Sequence, residues 1–287
     1  MSTILRIVTA SAVAAVVVVT AAGAAKRPQF TVPYDVLPTV GGDLYISDGE
    51  SGQVLKYTKR TRRLSVYVAL PAREVVGLAR LADGTLFVSD LAGGTIWRVD
   101  TRRHARRLAR VPASTELALR GQTLYVGSLE DNKVYGIDTR TGTRSEVAAV
   151  SGPHGLALGP GPSLYVSSPP DSVKRIDLST NAVTTVVTGS AYKPLFGRNG
   201  TLYAIGGGAG GSTISRVESN GTLTRIVGTG RIGPDRNGVK ATTVGLLITD
   251  AAFAPNGTLV VAQAKPLPKI RRVDPKTGRI TTVVAGL

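Results

Sequence analysis

No cysteine occurs anywhere in the 287 residues. That absence excludes disulfide scaffolds, thiolate zinc sites, iron–sulfur clusters, cysteine nucleophiles and lipid attachment through an N-terminal thiol. Histidine is almost as scarce: with only His104 and His154, a three-histidine zinc site cannot form within one chain. Aromatics make up 5% of the residues, few for a surface that would stack bases. Acidic residues number 19 against 35 Lys and Arg, leaving a formal net charge of +16; this favours anions without naming one. No helical period runs for ten residues beyond the N-terminal segment. A strand–turn–helix nucleophile elbow and a phosphate-cradling glycine loop leading into a helix are both missing. What remains is 42% hydrophobic residues, enough for a packed core. The length admits one or two domains, and an all-β fold runs this long as a single unit.

Residues 1–25 read as an address outside the fold. Arg6 provides a short positive region, Ile7 to Ala25 is uncharged and rich in Ala and Val, and Ala22-Gly23-Ala24 offers small residues for cleavage. An uncleaved anchor is the alternative, since the uncharged run approaches the ~20 residues that span a bilayer. Lys26-Arg27 stands on the side that would be exported, which favours a cleaved signal. Secretion, or residence in the cell envelope, is therefore expected, with membrane contact only if the segment is retained.

The rest of the chain, 26–287, is organised by one recurring segment. It appears as DLYISD (Asp43–Asp48), TLFVSD (Thr85–Asp90), TLYVGS (Thr123–Ser128), SLYVSS (Ser163–Ser168), TLYAIG (Thr201–Gly206) and TLVVAQ (Thr258–Gln263). Its leucines at 44, 86, 124, 164, 202 and 259 are spaced by 42, 38, 40, 38 and 57 residues. β-Branched and aromatic residues make each copy a buried strand. Asp83-Gly84, Asn199-Gly200 and Asn256-Gly257 stand before three copies as tight hairpin turns. Small-residue apolar strands are expected before them, at Val75–Leu81, Glu116–Arg120, His154–Gly159 and Asp250–Pro255. Alternating strands follow, such as Gln53–Thr58 and Lys133–Asp138, and then a variable fourth strand, as at Ala182–Thr188 and Arg279–Ala285. Four antiparallel strands per unit and six units predict an all-β, six-bladed β-propeller. The 57-residue spacing marks an insertion over 230–245, rich in Gly, Pro, Asp and Asn, read as a loop between blades 5 and 6.

The last unit carries a family resemblance. Ile226-Val227-Gly228-Thr229-Gly230, then Asn256-Gly257-Thr258-Leu259, then Ile270-Arg271-Arg272-Val273-Asp274-Pro275-Lys276-Thr277-Gly278 resembles the NHL repeat, and weaker copies extend it over residues 34–286. The same superfamily contains gluconolactonase-like, strictosidine-synthase-like and virginiamycin-lyase-like propellers. The resemblance implies a fold; it leaves activity open, because one propeller scaffold hosts many functions.

Propeller ligands meet where the innermost strands begin. Counting back eight to ten residues from each marker leucine gives Asp35, Val76, Glu116, His154, Tyr192 and Asp250. Asp35, Glu116, His154 and Asp250 form a candidate metal set, with hard oxygen ligands suited to Ca²⁺, Mg²⁺ or Mn²⁺. In the gluconolactonase-like family a divalent ion is held at this mouth by acidic and amide side chains, and His154 and Asp250 resemble those slots. That family's early Glu is absent here and no Asn falls on the ring. The competing reading makes these residues caps of strand ends. The aspartates at 48, 90, 100, 138, 177 and 274 are expected to serve turns, and His104 to be solvated. Arg and Lys runs at 59–63, 102–110 and 265–272 fall toward the rim, where they protect strand edges or meet an anion. The chain is thus expected to be a monomeric binding or scaffold module whose partner is a protein or an anionic cell-surface ligand, not a nucleic acid. The alternative is a metal-dependent hydrolase or lyase.

Overall fold

The computed structural model describes residues 29–168, 172–189, 191–208 and 210–286. Residues 1–25, read from sequence as a signal or anchor, lie outside the described residues. Six antiparallel sheets succeed one another along the chain, over residues 33–69, 75–110, 114–149, 156–188, 193–227 and 247–285, and are called blades 1 to 6. In every blade the strands keep sequence order from first to fourth. The first strands contact one another in sequence around the ring, and that of blade 6 returns to that of blade 1. The chain is a six-bladed β-propeller with its first strands lining the axis.

Burial follows from this geometry. Marker strands such as Leu44–Asp48 and Leu86–Asp90 are covered on both faces and buried throughout. Outermost strands such as Arg144–Ala149 are largely exposed. Six apolar clusters fill the gaps between neighbouring blades; Ile96, Leu117, Leu124 and Ile137, for example, join blades 2 and 3. Burying the sides of each blade against its neighbours therefore requires the closed ring.

Polar bridges repeat with the blades. The hydroxyl of Ser47 accepts the Asp35 amide N–H at 2.8 Å and donates to the Val76 carbonyl of blade 2 at 2.9 Å. Ser89 likewise accepts from the Gly77 amide and donates to the Thr115 carbonyl of blade 3. Asp48 and Asp90 reach backward rather than forward: Oδ1 of Asp48 accepts the amides of Thr31 and Val32, and that of Asp90 those of Arg73 and Glu74. They tie down the segment entering each blade, and Asp90 also accepts from Gly93 N–H in its own turn. Asp138 and Asp274 serve the following turn as expected, taking amides two and three residues on.

Two expectations are adjusted. The first strands of blades 3, 4 and 6 run over Ser114–Arg120, Leu156–Leu158 and Leu247–Phe253; in blades 3 and 6 bulges shift the register, at Val126/Ser128 and around Ile248. The 230–245 insertion is more than a loop: Val239–Lys240 pairs with the outer strand Arg279–Ala285, so blade 6 has a fifth strand. Among the described residues no strand is exchanged at closure. Phe30, fully buried, packs into the core between blades 6 and 1. The Thr249 hydroxyl donates to the Pro33 carbonyl, and the Val36 amide donates to Asp250.

Candidate functional site at the axial mouth

One residue of each blade occupies the same place on the axis, opposite the residue three after the marker leucine. Strand pairing sets Asp35 against Ser47, Lys193 against Ile205 and Asp250 against Ala262. Gly77 and Gly155 stand opposite Ser89 and Ser167, to which their amides donate. Glu116 lies in the bulge facing Gly127. The ring therefore reads Asp35, Gly77, Glu116, Gly155, Lys193, Asp250. All but Glu116 lie nine residues before their leucine; Glu116 lies eight before, its hairpin turn being one residue shorter.

This register corrects three expected ring positions. Val76, His154 and Tyr192 each precede the true ring residue by one, and a one-residue slip turns a side chain to the other direction. Asp35, Glu116 and Asp250 are brought together, whereas His154 stands exposed at the mouth. The missed residue is Lys193. Its Nζ lies 2.5 Å from Oε2 of Glu116 and 2.5 Å from Oδ1 of Asp250. The signal that would have found it is the constant nine-residue count, applied without preference for polar residues.

The electrostatics sort the carboxyls. Burial pushes the Asp35 carboxyl well above the usual range, helped by the charges of Glu116 and Asp250. Burial also raises Glu116, against the pull of Lys193. Burial would raise Asp250 too, but Lys193, a bond with Asp35 and the Val36 amide overcome it and hold Asp250 low. Lys193, though buried, is driven above its ordinary value by Asp250, Glu116 and Asp35. The Lys193 ammonium thus sits between Glu116 and Asp250, and burial inclines Asp35 most strongly of the three carboxyls to keep its proton. Desolvation and the Lys193 charge lower the His154 imidazole, leaving it neutral at pH 7.

The donor set does not fit a divalent ion as it stands. The cation between the carboxylates is Lys193, and among the described residues no three His, Asp or Glu are arranged to hold a metal. Above the ring opens a cavity of about 320 Å³ to which all six blades contribute. Val76, Leu91, Leu247 and Ile248 give it apolar walls, and Glu116 and Lys193 are its charged floor. Tyr192 joins the wall, donating its hydroxyl to the Ile248 carbonyl at 2.5 Å; burial pushes its pKa up to about 12.

No family model and no curated protein matches the chain. Among solved structures it is similar to virginiamycin B lyase from Staphylococcus aureus, at 16% identity over 88% of this chain and 84% of that one, TM-score 0.63. The calcium-binding protein regucalcin from Agrobacterium tumefaciens matches at 14% identity, 90% and 92% coverage and TM-score 0.62. An auxiliary nutrient binding protein from Bacteroides ovatus matches at 12% identity, 88% and 70% coverage and TM-score 0.70. At such identities the likeness is one of architecture, and what it shows is that this chain folds as the six-bladed β-propeller that lyases and binding proteins share.

Proposed function

We propose that the chain is a ligand-binding propeller acting outside the cytoplasm, and that it seats a small, largely apolar molecule in the axial mouth. The carrying observation is the cavity itself: about 320 Å³, within the range of small-molecule pockets, with apolar walls over a floor whose charges satisfy one another. A ligand there gains mainly by burying apolar surface and finds charged groups at Lys193 and Glu116, with the polar side chains of His154 and Ser212 also on the lining. The uncharged N-terminal run after Arg6 supports the exported reading.

Gly208 lines this cavity, and a Cβ built on it meets no atom within 4 Å. Gly208→Phe is therefore expected to fill the mouth while leaving the melting temperature unchanged. Saturable fluorescence enhancement of the neutral probe N-phenyl-1-naphthylamine is expected with the native chain and not with Gly208→Phe. Equal enhancement in both would sink the proposal.

A second reading, recognition of a polyanion at the rim, rests on blade 2. Its outer strand and the preceding turn expose Arg102, Arg103, Arg106, Arg107 and Arg110. Among the described residues the one ion pair there joins Asp100 to His104. The equivalent strand of blade 4, Val183–Thr188, bears no charge, so edge protection alone does not call for five arginines.

A further inference from the structure

We infer that Lys193 is the resident cation of the axial centre, holding apart carboxyls of Asp35, Glu116 and Asp250 that would close on a divalent metal ion once the lysine is removed. Position, geometry and charge support this independently of which ligand enters the cavity above.

All four charged residues come from the six equivalent ring positions, and Lys193 is the only cation among them. Gly155 leaves room for it: a Cβ there would lie 2.8 Å from Cγ of Lys193. Gly77 does the same beside Glu116, whose Cα would be 3.0 Å from such an atom. The centre is shaped around these two side chains.

Lys193 bridges two of the carboxylates, its Nζ 2.5 Å from Oε2 of Glu116 and 2.5 Å from Oδ1 of Asp250. Oδ1 of Asp250 is buried and receives no hydrogen bond of normal geometry, so the lysine's charge is what holds it. The ammonium brings positive charge to the place where a divalent ion would bring it. Removing the ammonium therefore leaves three convergent carboxyls short of positive charge, which is the condition for hard-cation binding.

The test is calorimetric titration of the full chain and of Lys193→Ala with CaCl₂ and with MnCl₂ at pH 7. The native chain is expected to give no saturable heat up to ~1 mM, the weak end of protein Ca²⁺ sites. Lys193→Ala is expected to bind one equivalent below that limit and to release protons, read by repeating the titration in buffers of different ionisation enthalpy. Recovery of Lys193→Ala only when Ca²⁺ is present during purification would also support the assignment. Saturable binding by the native chain, or a folded Lys193→Ala that binds neither ion, overturns it. Should that variant fail to fold under either condition, the native chain decides. Mn²⁺ that broadens the His154 imidazole resonances more than those of His104 would place an ion at the axis and overturn the inference; equal broadening supports it.

Discussion

Asp35 and Asp250 are the same residue at equivalent places in adjoining blades, yet their surroundings push their pKa values in opposite directions. Each spends one oxygen on the next blade: Oδ2 of Asp35 accepts the Leu78 amide at 2.6 Å, and Oδ2 of Asp250 accepts the Val36 amide at 2.8 Å. They differ in access to Lys193, which touches Asp250. Because the folded pKa of Asp35 is raised, stability linked to its proton is full below the unfolded value near ~3.9 and is lost as pH rises through the folded value. Asparagine keeps both the acceptor and a donor without titrating. In melts between pH 4 and 8, Asp35→Asn is expected to gain on the native chain by about 1 kcal/mol per pH unit until the folded pKa is passed; a constant difference would refute the assignment. Asp250 runs the other way, its lowered pKa supplying stability above the unfolded value that is lost as pH falls through the folded one. The three carboxyls were legible from the leucine count because acidic residues stand out within an eight-to-ten window. Lys193 was not, since that window also admits Tyr192, and only inter-strand pairing decides between neighbours.

Among the elements, the blade 6 insertion shows how a surface segment is held by one buried side chain. Arg271 is fully buried. Its guanidinium donates to the carbonyls of Asp235 and Arg236, both at 2.9 Å, and to Oδ1 of Asn237 at 3.0 Å. Lys269 and Gln263 then fix the Asp235 carboxylate, at 2.5 and 3.0 Å, while Asn237 also accepts the Thr282 amide. Arg271→Met would leave two half-buried carbonyls without their charged donor, at a cost of about 1–3 kcal/mol. Chemical denaturation should show that loss, and trypsin should cut after Arg231 or Arg236 in the variant well before the native chain. Similar cutting of both would argue against the clamp. The strands were readable from alternation and turn dipeptides. This clamp was not, because Lys269-Ile270-Arg271-Arg272 looks uniformly basic, and only the blade's geometry makes one arginine internal and its neighbour external.

For the whole molecule, charge is the property that sequence alone left least placed. The net +16 is uneven along the chain: blades 3 and 4 carry little or no net positive charge, whereas blade 2 concentrates five exposed arginines. Replacing Arg102, Arg103, Arg106, Arg107 and Arg110 by Gln is expected to lower the salt concentration for elution from a heparin column more than replacing Arg198, Arg225, Arg236, Lys240 and Lys276 does. Equal shifts would mean that net charge alone governs retention. Closure also belongs to this scale. The ring is shut by side chains, with Phe30 wedged beside blade 6 and Asp250 holding the Val36 amide, so the seam and the floor of the cavity share a residue.

The axial ring has one further consequence. Strands, turns and serine bridges make the blades near copies, while the six ring residues make them distinct individuals. Blades 2 and 4, both contributing glycine, could trade places in the gene and rebuild the same axial centre. An exchange of blade 3 with blade 4 would move a carboxylate next to Lys193 along the ring and pull Glu116 away from its present neighbours. Order along the chain, which is indifferent to the architecture, is thus written into the chemistry of a single layer one residue deep.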